Sequence, residues 1–504
     1  MSNSNQTDRR PRVADVLDRI VEKRTRRVAA EGPALGVDVP DKRRVPIVPF
    51  VREPLLVAEI KKRSPSRGSL AVSLDPIEQA GRYTKLGCKA LSVLTEEDHF
   101  SGSLTDLIAV KDRYPETSVL RKDFLLTVED VEISRRAGAD AVLLIASVLS
   151  TEDLRAMLDA CNTLGLAALV EVHTAEEIEH IKPFSPSLVG VNARDLHTFD
   201  VDKTIPIRLR RLIDWSATLV FESGIFTFED AYLAGSNHFT GILVGEAVMK
   251  EPTIIPELSA GLAAGREAVG HDFWYRLYKT RVDSVGSVEG GGRSGARATA
   301  YRPLVKICGI AREEDGRAAA DHGADLLGFI FADSPRRVDP GVVRELADLS
   351  LPKVAVVVDE VPDDLALLLQ EGLIDAVQFH GSEAPDACFA MARPYYKALR
   401  PKTAADVAQF AEYSSPRVLI DAFSPDRAGG TGKRVDGEIV RAAAKVKPLW
   451  IAGGLGPDNV AAIIREYSPE LLDASSRLES EPGKKDIGKL KTYFTEIDRA
   501  CSLR

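Results

Sequence analysis

Short apolar runs rich in β-branched residues return roughly every 20 to 35 positions along this chain, each followed by a stretch of helical spacing, the signature of successive strand–helix units. In the first half the runs begin at Leu55, Ala90, Ser118, Ala141, Ala167, Leu188, Ala217 and Gly241. In the second they begin at Leu304, Leu326, Lys353, Ala376, Tyr395, Arg417, Leu449 and Leu471. The runs are apolar almost throughout instead of alternating, as parallel strands covered on both faces require. Eight such units, twice over, predict an α/β chain of two consecutive (β/α)8 barrels, since doubly wound sheets usually carry about five to seven strands. No G-x-G-x-x-G follows the first strand of either half.

Between the two sets, Val282 to Tyr301 is rich in Gly, Ser and Arg and has little to bury, so it reads as a flexible linker. The expected organisation is a barrel with extra N-terminal helices over 1–270, a helix and linker over 271–302, and a second barrel over 303–504. Helical spacing at Val13, Val16, Leu17, Ile20 and Val21 supplies the first extra helix, and its Lys/Arg cluster reads as a solvated face. A composition of 44% hydrophobic and 28% charged residues is that of a folded soluble chain. The balance of 66 Lys+Arg against 75 Asp+Glu lacks the basic surplus that nucleic-acid binders use, so nucleic acid is not an expected partner. Five singly placed cysteines without a CxxC pair argue against a disulfide framework or structural zinc and for a reducing compartment. A polar N-terminus and the lack of any run of about 18 apolar residues point to a cytoplasmic protein without a membrane span.

Reactive groups of such barrels sit at the C-terminal ends of the strands. In the first half those ends carry Glu59 and Lys61, then Arg121, Lys122 and Asp123, then Glu171, then Asn192 and Arg194, then Glu222 and Ser223. Two lysines and several carboxylates at one mouth can push one another's pKa values apart and supply both an acid and a base. A structural salt-bridge network is the alternative for any one of them; five strand ends together favour chemistry. Ser223 and Gly224 in ESGI, and Gly245 and Glu246 in GEA, follow strands seven and eight, where loops offer backbone N–H groups to a phosphate. The second half carries Cys308 and Asp421 at strand ends, with Gly429, Gly430, Gly453 and Gly454 in glycine-rich loops. A lone cysteine there is ordinarily a buried small hydrophobe. Opposite a carboxylate at a phosphate-binding mouth it can act as thiolate base with Asp421 as acid, which suits sugar isomerisation and needs no metal or redox cofactor. His380 in QFHGSE reads as a packing or binding group.

The segments AEIKKRSPSRG, LTEEDHFSGS, LRKDF, LVEV, VNARDL, FESGI and LVGEAVM, in this order, resemble indole-3-glycerol-phosphate synthase. KICGI, GFIFADSPRRV, QFHGSE, LIDAF, GGTGKRVD and AGGLGPDNV resemble phosphoribosylanthranilate isomerase, so the whole is similar to fused bifunctional enzymes of tryptophan biosynthesis. The resemblance implies that the C-terminal barrel opens the ribose ring of N-(5-phosphoribosyl)anthranilate and carries out an Amadori rearrangement. Asp421 would protonate the ring oxygen and Cys308 remove the C2 proton; Arg336, Gln378, His380, Ser475 and Ser476 would bind substrate with the loop glycines. The N-terminal barrel would cyclise the product to indole-3-glycerol phosphate, losing CO2 and water, with Lys122 as general acid and Glu171 assisting proton transfer. Lys61 and Glu59 complete that set; Ser64, Phe124, Asn192, Arg194, Glu222 and the ESGI and GEA residues would hold the substrate, Phe124 as a wall for its ring. It further implies phosphorylated small-molecule substrates, no cofactor and no metal, and a monomer is the expected state. One departure is SSRLE, where the family often shows SSGVE, which puts Arg477 beside the phosphate cradle. Two other readings stand beside this one. Isomerases of histidine biosynthesis tend to carry an Asp where this chain has Cys308, and an inactive metabolite-binding scaffold would have lost Lys122, Glu171, Cys308 or Asp421.

Overall fold

Every one of the sixteen apolar runs forms a parallel strand in the computed structural model, which describes residues 14–64, 68–69, 75–194, 200–268, 270–283, 302–391, 393–421 and 436–502. The first eight are β1 (Leu55–Ile60), β2 (Ala90–Leu94), β3 (Ser118–Lys122), β4 (Ala141–Ile145), β5 (Ala167–Val172), β6 (Leu188–Asn192), β7 (Thr218–Glu222) and β8 (Gly241–Val244). They close on themselves, β1 pairing with β8 at Leu55↔Gly241 and with β2 at Val57↔Ala90. The second set is β9 (Leu304–Cys308), β10 (Leu326–Ile330), β11 (Lys353–Val357), β12 (Ala376–Phe379), β13 (Tyr395–Leu399), β14 (Val418–Ile420), β15 (Trp450–Ala452) and β16 (Leu471–Ala474). It closes where β9 meets β16 at Leu304↔Leu471.

The chain divides into two compact units, Met1–Ala268 and Val269–Arg504. The expected helix after the first barrel spans Phe273–Asp283 and belongs to the second unit. There Trp274 lies 5.7 Å from the ring of Trp450, and the Tyr278 hydroxyl donates to Glu470. Of the linker expected from Val282 to Tyr301, Val282 and Asp283 instead end this helix, and 284–301 lie outside the described residues.

Strand periodicity explains where the polar groups go. Side chains two residues apart share a face. Val57, Leu120, Leu169 and Val220 belong to one apolar cluster inside the first barrel. The next residues on that face are therefore Glu59, Lys122, Glu171 and Glu222, one layer nearer the C-terminal mouth. In the second barrel the equivalent interior layer is itself polar: Lys306, Gln378, Tyr396 and Asp473 are all nearly inaccessible.

The N-terminal helix runs Ala14–Glu31. Its basic cluster is only partly the solvated face expected. The Arg26 side chain is 75% exposed, but that of Arg24 is 5% exposed and pairs with Asp130 at 2.9 Å. Arg24 thus ties the helix to the helix that follows β3, a long-range pairing invisible to helical periodicity. Periodicity also misses two hairpins, Arg63–Ser64 with Gly68–Ser69 and Glu479–Glu481 with Lys484–Lys485, which are too short to register. No described helix is long and apolar enough to cross a membrane.

Candidate active sites

At the mouth of the first barrel one lysine faces two carboxylates. Lys122 Nζ donates to Glu171 Oε2 at 3.0 Å and to Glu222 Oε2 at 2.8 Å, joining the ends of β3, β5 and β7. Burial alone would discharge this lysine, yet Glu171, Glu222 and Glu59 outweigh it and raise its pKa. Lys61 Nζ donates to Glu59 Oε1 at 2.5 Å. Gly245 leaves room for that pair, because a Cβ there would lie 2.5 Å from Glu59 Oε1 and 2.9 Å from Lys61 Nζ.

The two carboxylates beside Lys122 do not behave alike. Burial would raise Glu171, but Lys122 and His173 hold it well below the usual carboxylate range. Burial, with Glu171 adding to it, pushes Glu222 up to about 8. His173 is the group that breaks the symmetry: its Nε2 lies 3.1 Å from Glu171 Oε1, its Nδ1 lies 3.3 Å from Glu177, and the two carboxylates overcome burial to raise it to about 10. Sequence reasoning stopped at LVEV and missed it, although a histidine directly after a strand end bearing a candidate site residue was the available signal.

The other expected residues of this barrel spread around that centre. Asn192 is buried and its Oδ1 accepts from the Arg194 N–H at 3.0 Å. Phe124 packs against the interior cluster. Ser223 and Gly224 both have positive φ, 68° and 78°, which turns the chain sharply after β7. Ser64 sits in the first short hairpin, paired with Gly68. Glu246 begins the five-residue helix after β8, where Lys250 donates to it at 2.7 Å.

In the second barrel Cys308, Arg336, Gln378, His380, Asp421, Gly453, Gly454, Ser475 and Ser476 line one cavity of about 510 Å3. His380 Nε2 lies 3.0 Å from Asp421 Oδ2, and its Nδ1 is 3.2 Å from the Gln378 amide nitrogen. His380 thus stands within ion-pair distance of Asp421. Of the adjacent arginines, Arg336 faces this cavity and pairs with Glu479 at 2.8 Å, whereas Arg337 reaches Asp364. Arg477 turns to Asp458 at 2.7 Å and to the Gly454 carbonyl at 3.2 Å. Gly429 and Gly430 lie outside the described residues.

Known proteins agree with this division. The family model for indole-3-glycerol phosphate synthase matches residues 19–258, and that for N-(5'-phosphoribosyl)anthranilate isomerase matches 305–496. The indole-3-glycerol phosphate synthase of Geobacillus kaustophilus is 40% identical over 46% of this chain and 91% of its own length. A multifunctional tryptophan biosynthesis protein of Schizosaccharomyces pombe is 31% identical over 88% of this chain, which spans 59% of that protein. Another, of Phycomyces blakesleeanus, is 30% identical over 98% of this chain and 70% of its own length. The chain belongs to this multifunctional tryptophan-biosynthesis family. Its first unit is the synthase, a lyase, and its second the isomerase.

Glu222 gives the synthase barrel a pH signature. Between its ordinary value of 4.5 and about 8 the folded chain keeps a proton that the unfolded chain has lost. Stability from this group is present in acid and is lost as pH rises through that window, at up to about 1.4 kcal/mol per pH unit. His173, raised from 6.5 to about 10, acts in the same direction at higher pH. Glu222→Gln cannot ionise. The wild-type urea midpoint, followed by backbone circular dichroism, is therefore expected to fall relative to that of the variant between pH 5 and 8. A constant difference across that range would mean that Glu222 is ionised in the folded synthase.

Proposed function

We propose that the isomerase barrel converts N-(5-phosphoribosyl)anthranilate to 1-(2-carboxyphenylamino)-1-deoxyribulose 5-phosphate, and that the synthase barrel cyclises, decarboxylates and dehydrates this product to indole-3-glycerol phosphate. The observation that carries the reading is that each mouth pairs a proton donor with an acceptor. Lys122 touches both Glu171 and Glu222, and Cys308 shares one cavity with Asp421.

In the isomerase, Asp421 protonates the ring oxygen as the ribose opens, and Cys308 removes the proton from C2. The His380 ring, held by Gln378, aims the Asp421 carboxyl. Gly453 and Gly454, both at positive φ, together with Ser475 and Ser476, line the end of the cavity suited to the phosphate. Arg336 pairs with the substrate carboxylate, leaving part of its bond to Glu479. In the synthase, Lys122 enters the reaction as an ammonium because the acidic groups around it, Glu171 foremost, keep it charged. It donates to the substrate carbonyl as the new ring bond forms, and Glu171, held ionised by His173, takes up a proton during dehydration. Lys61 and Arg194 face the anionic groups, Asn192 orients the substrate, and the backbone after β7 and β8 holds the phosphate.

Five cysteines, all unpaired and buried, support a reducing, cytoplasmic setting. The direct test supplies N-(5-phosphoribosyl)anthranilate alone to the intact chain and follows indole-3-glycerol phosphate spectroscopically. Formation after a lag, with the ketose accumulating first, is expected; absence of the indole product would overturn the reading.

A further inference from the structure

Beneath the isomerase cavity lies a charged group with no role so far. Lys306 is wholly buried in β9, where its ammonium donates to Gln378 Oε1 at 2.6 Å and to Asp473 Oδ2 at 2.7 Å. An ammonium has three donors, so these bonds leave one, toward which both the Cys308 sulfur and the Tyr396 hydroxyl are turned. Cys308, two residues on, projects to the same face. Both side chains press on the bare backbone of Gly328 in the neighbouring strand: a Cβ there would lie 2.8 Å from Lys306 Cε and 2.9 Å from Cys308 Sγ. A methyl group at Gly328 could not coexist with that approach.

We propose that Lys306 is a positioning residue for the isomerisation, holding the negative charge that Cys308 must carry to act as base. This rests on the reading of Cys308 as the base. The charged and titratable groups around the sulfur are Lys306 from its own strand, Asp473 from β16, Tyr396 from β13 and Lys485 from the second hairpin. Burial raises the Cys308 thiol, so the thiolate needs a cation. Lys485 already donates to Glu479 at 2.9 Å and to the Cys308 carbonyl at 2.7 Å. Lys306 is the one that reaches the sulfur's own face, its Cε and the Cys308 Sγ lying together against Gly328, whereas Lys485 bonds the Cys308 backbone carbonyl.

The proton balance is direct. The thiol proton leaves to solvent through the cavity. Once Asp421 has given its proton to the ring oxygen, the thiolate takes the proton from C2; that C–H pair forms the C1–C2 double bond and neutralises the nitrogen cation. Cys308 ends as thiol, and Lys306 has stabilised the sulfur only while it was charged.

The test is the pH dependence of Cys308 alkylation by iodoacetamide, read by mass spectrometry of the Cys308 peptide in the full chain. Lys306→Met and Lys306→Gln, the latter keeping a donor for Asp473, are expected to slow alkylation near neutral pH about tenfold, one pKa unit, and to move its midpoint upward. The kcat/KM profile for isomerisation should move by the same amount, with synthase turnover unchanged. A wild-type midpoint in either folded variant overturns the proposal. The underlying reading fails differently: a Cys308→Ala chain that still isomerises removes the base assignment whatever the alkylation data say.

Discussion

Lys122→Met is expected to lower synthase turnover by about 10²–10⁴-fold, the range for losing a positioned acid, while the same chain still isomerises N-(5-phosphoribosyl)anthranilate. Two effects add. The proton donor is gone, and Glu171 and Glu222 lose the cation that each contacts within about 3 Å. Both carboxyl groups then drift upward in pKa, so the acceptor that His173 keeps ionised is weakened as well. The two steps are measured separately, synthase turnover with the ketose supplied directly. Isomerisation serves as the internal control for a folded chain. Loss of both activities in a chain whose circular dichroism matches wild type would refute the assignment of separate chemistries to the two barrels.

The mirror experiment has an effect of similar size. Cys308→Ala is expected to lower isomerase turnover by about 10²–10⁴-fold and to leave synthase turnover of supplied ketose at the wild-type level. Asp421→Asn, which preserves shape but cannot donate as a carboxylic acid, should fall as far. His380→Asn should cost less, because it removes the partner 3.0 Å from Asp421 without removing the acid. Equal losses for His380→Asn and Asp421→Asn would move the acid role to the imidazole.

The fold was legible because parallel buried strands leave continuous apolar runs, and every run appears as a strand. Much of the candidate site was legible for a related reason: a Glu or Lys closing an apolar run has few structural uses, and Glu59, Lys122, Glu171 and Glu222 all close such runs. The illegible part depends on barrel closure. Lys306 stands inside LVKICG, where a strand lysine suggests an outward face; its acidic partner Asp473 is 167 residues away. Arg24 looked solvated because Asp130, 106 residues on, could not be placed beside it. Glu246 was read from its motif, yet it also accepts from Lys250 on its own helix. Pattern reveals which residues share a face; only the closed sheet reveals which faces meet.

The aromatic pair at the start of the second unit has a practical consequence. Of the three tryptophans in the chain, Trp274 and Trp450 lie against each other there, and Trp450 also stands 5.0 Å from Tyr396, whose hydroxyl reaches Gln378 at the cavity wall. Native ultraviolet emission is thus weighted toward one catalytic half, with Trp215 alone reporting on the other. An anthranilate-bearing ligand entering above Gln378 should quench that glow without any attached dye, so each half of the fusion carries its own optical address.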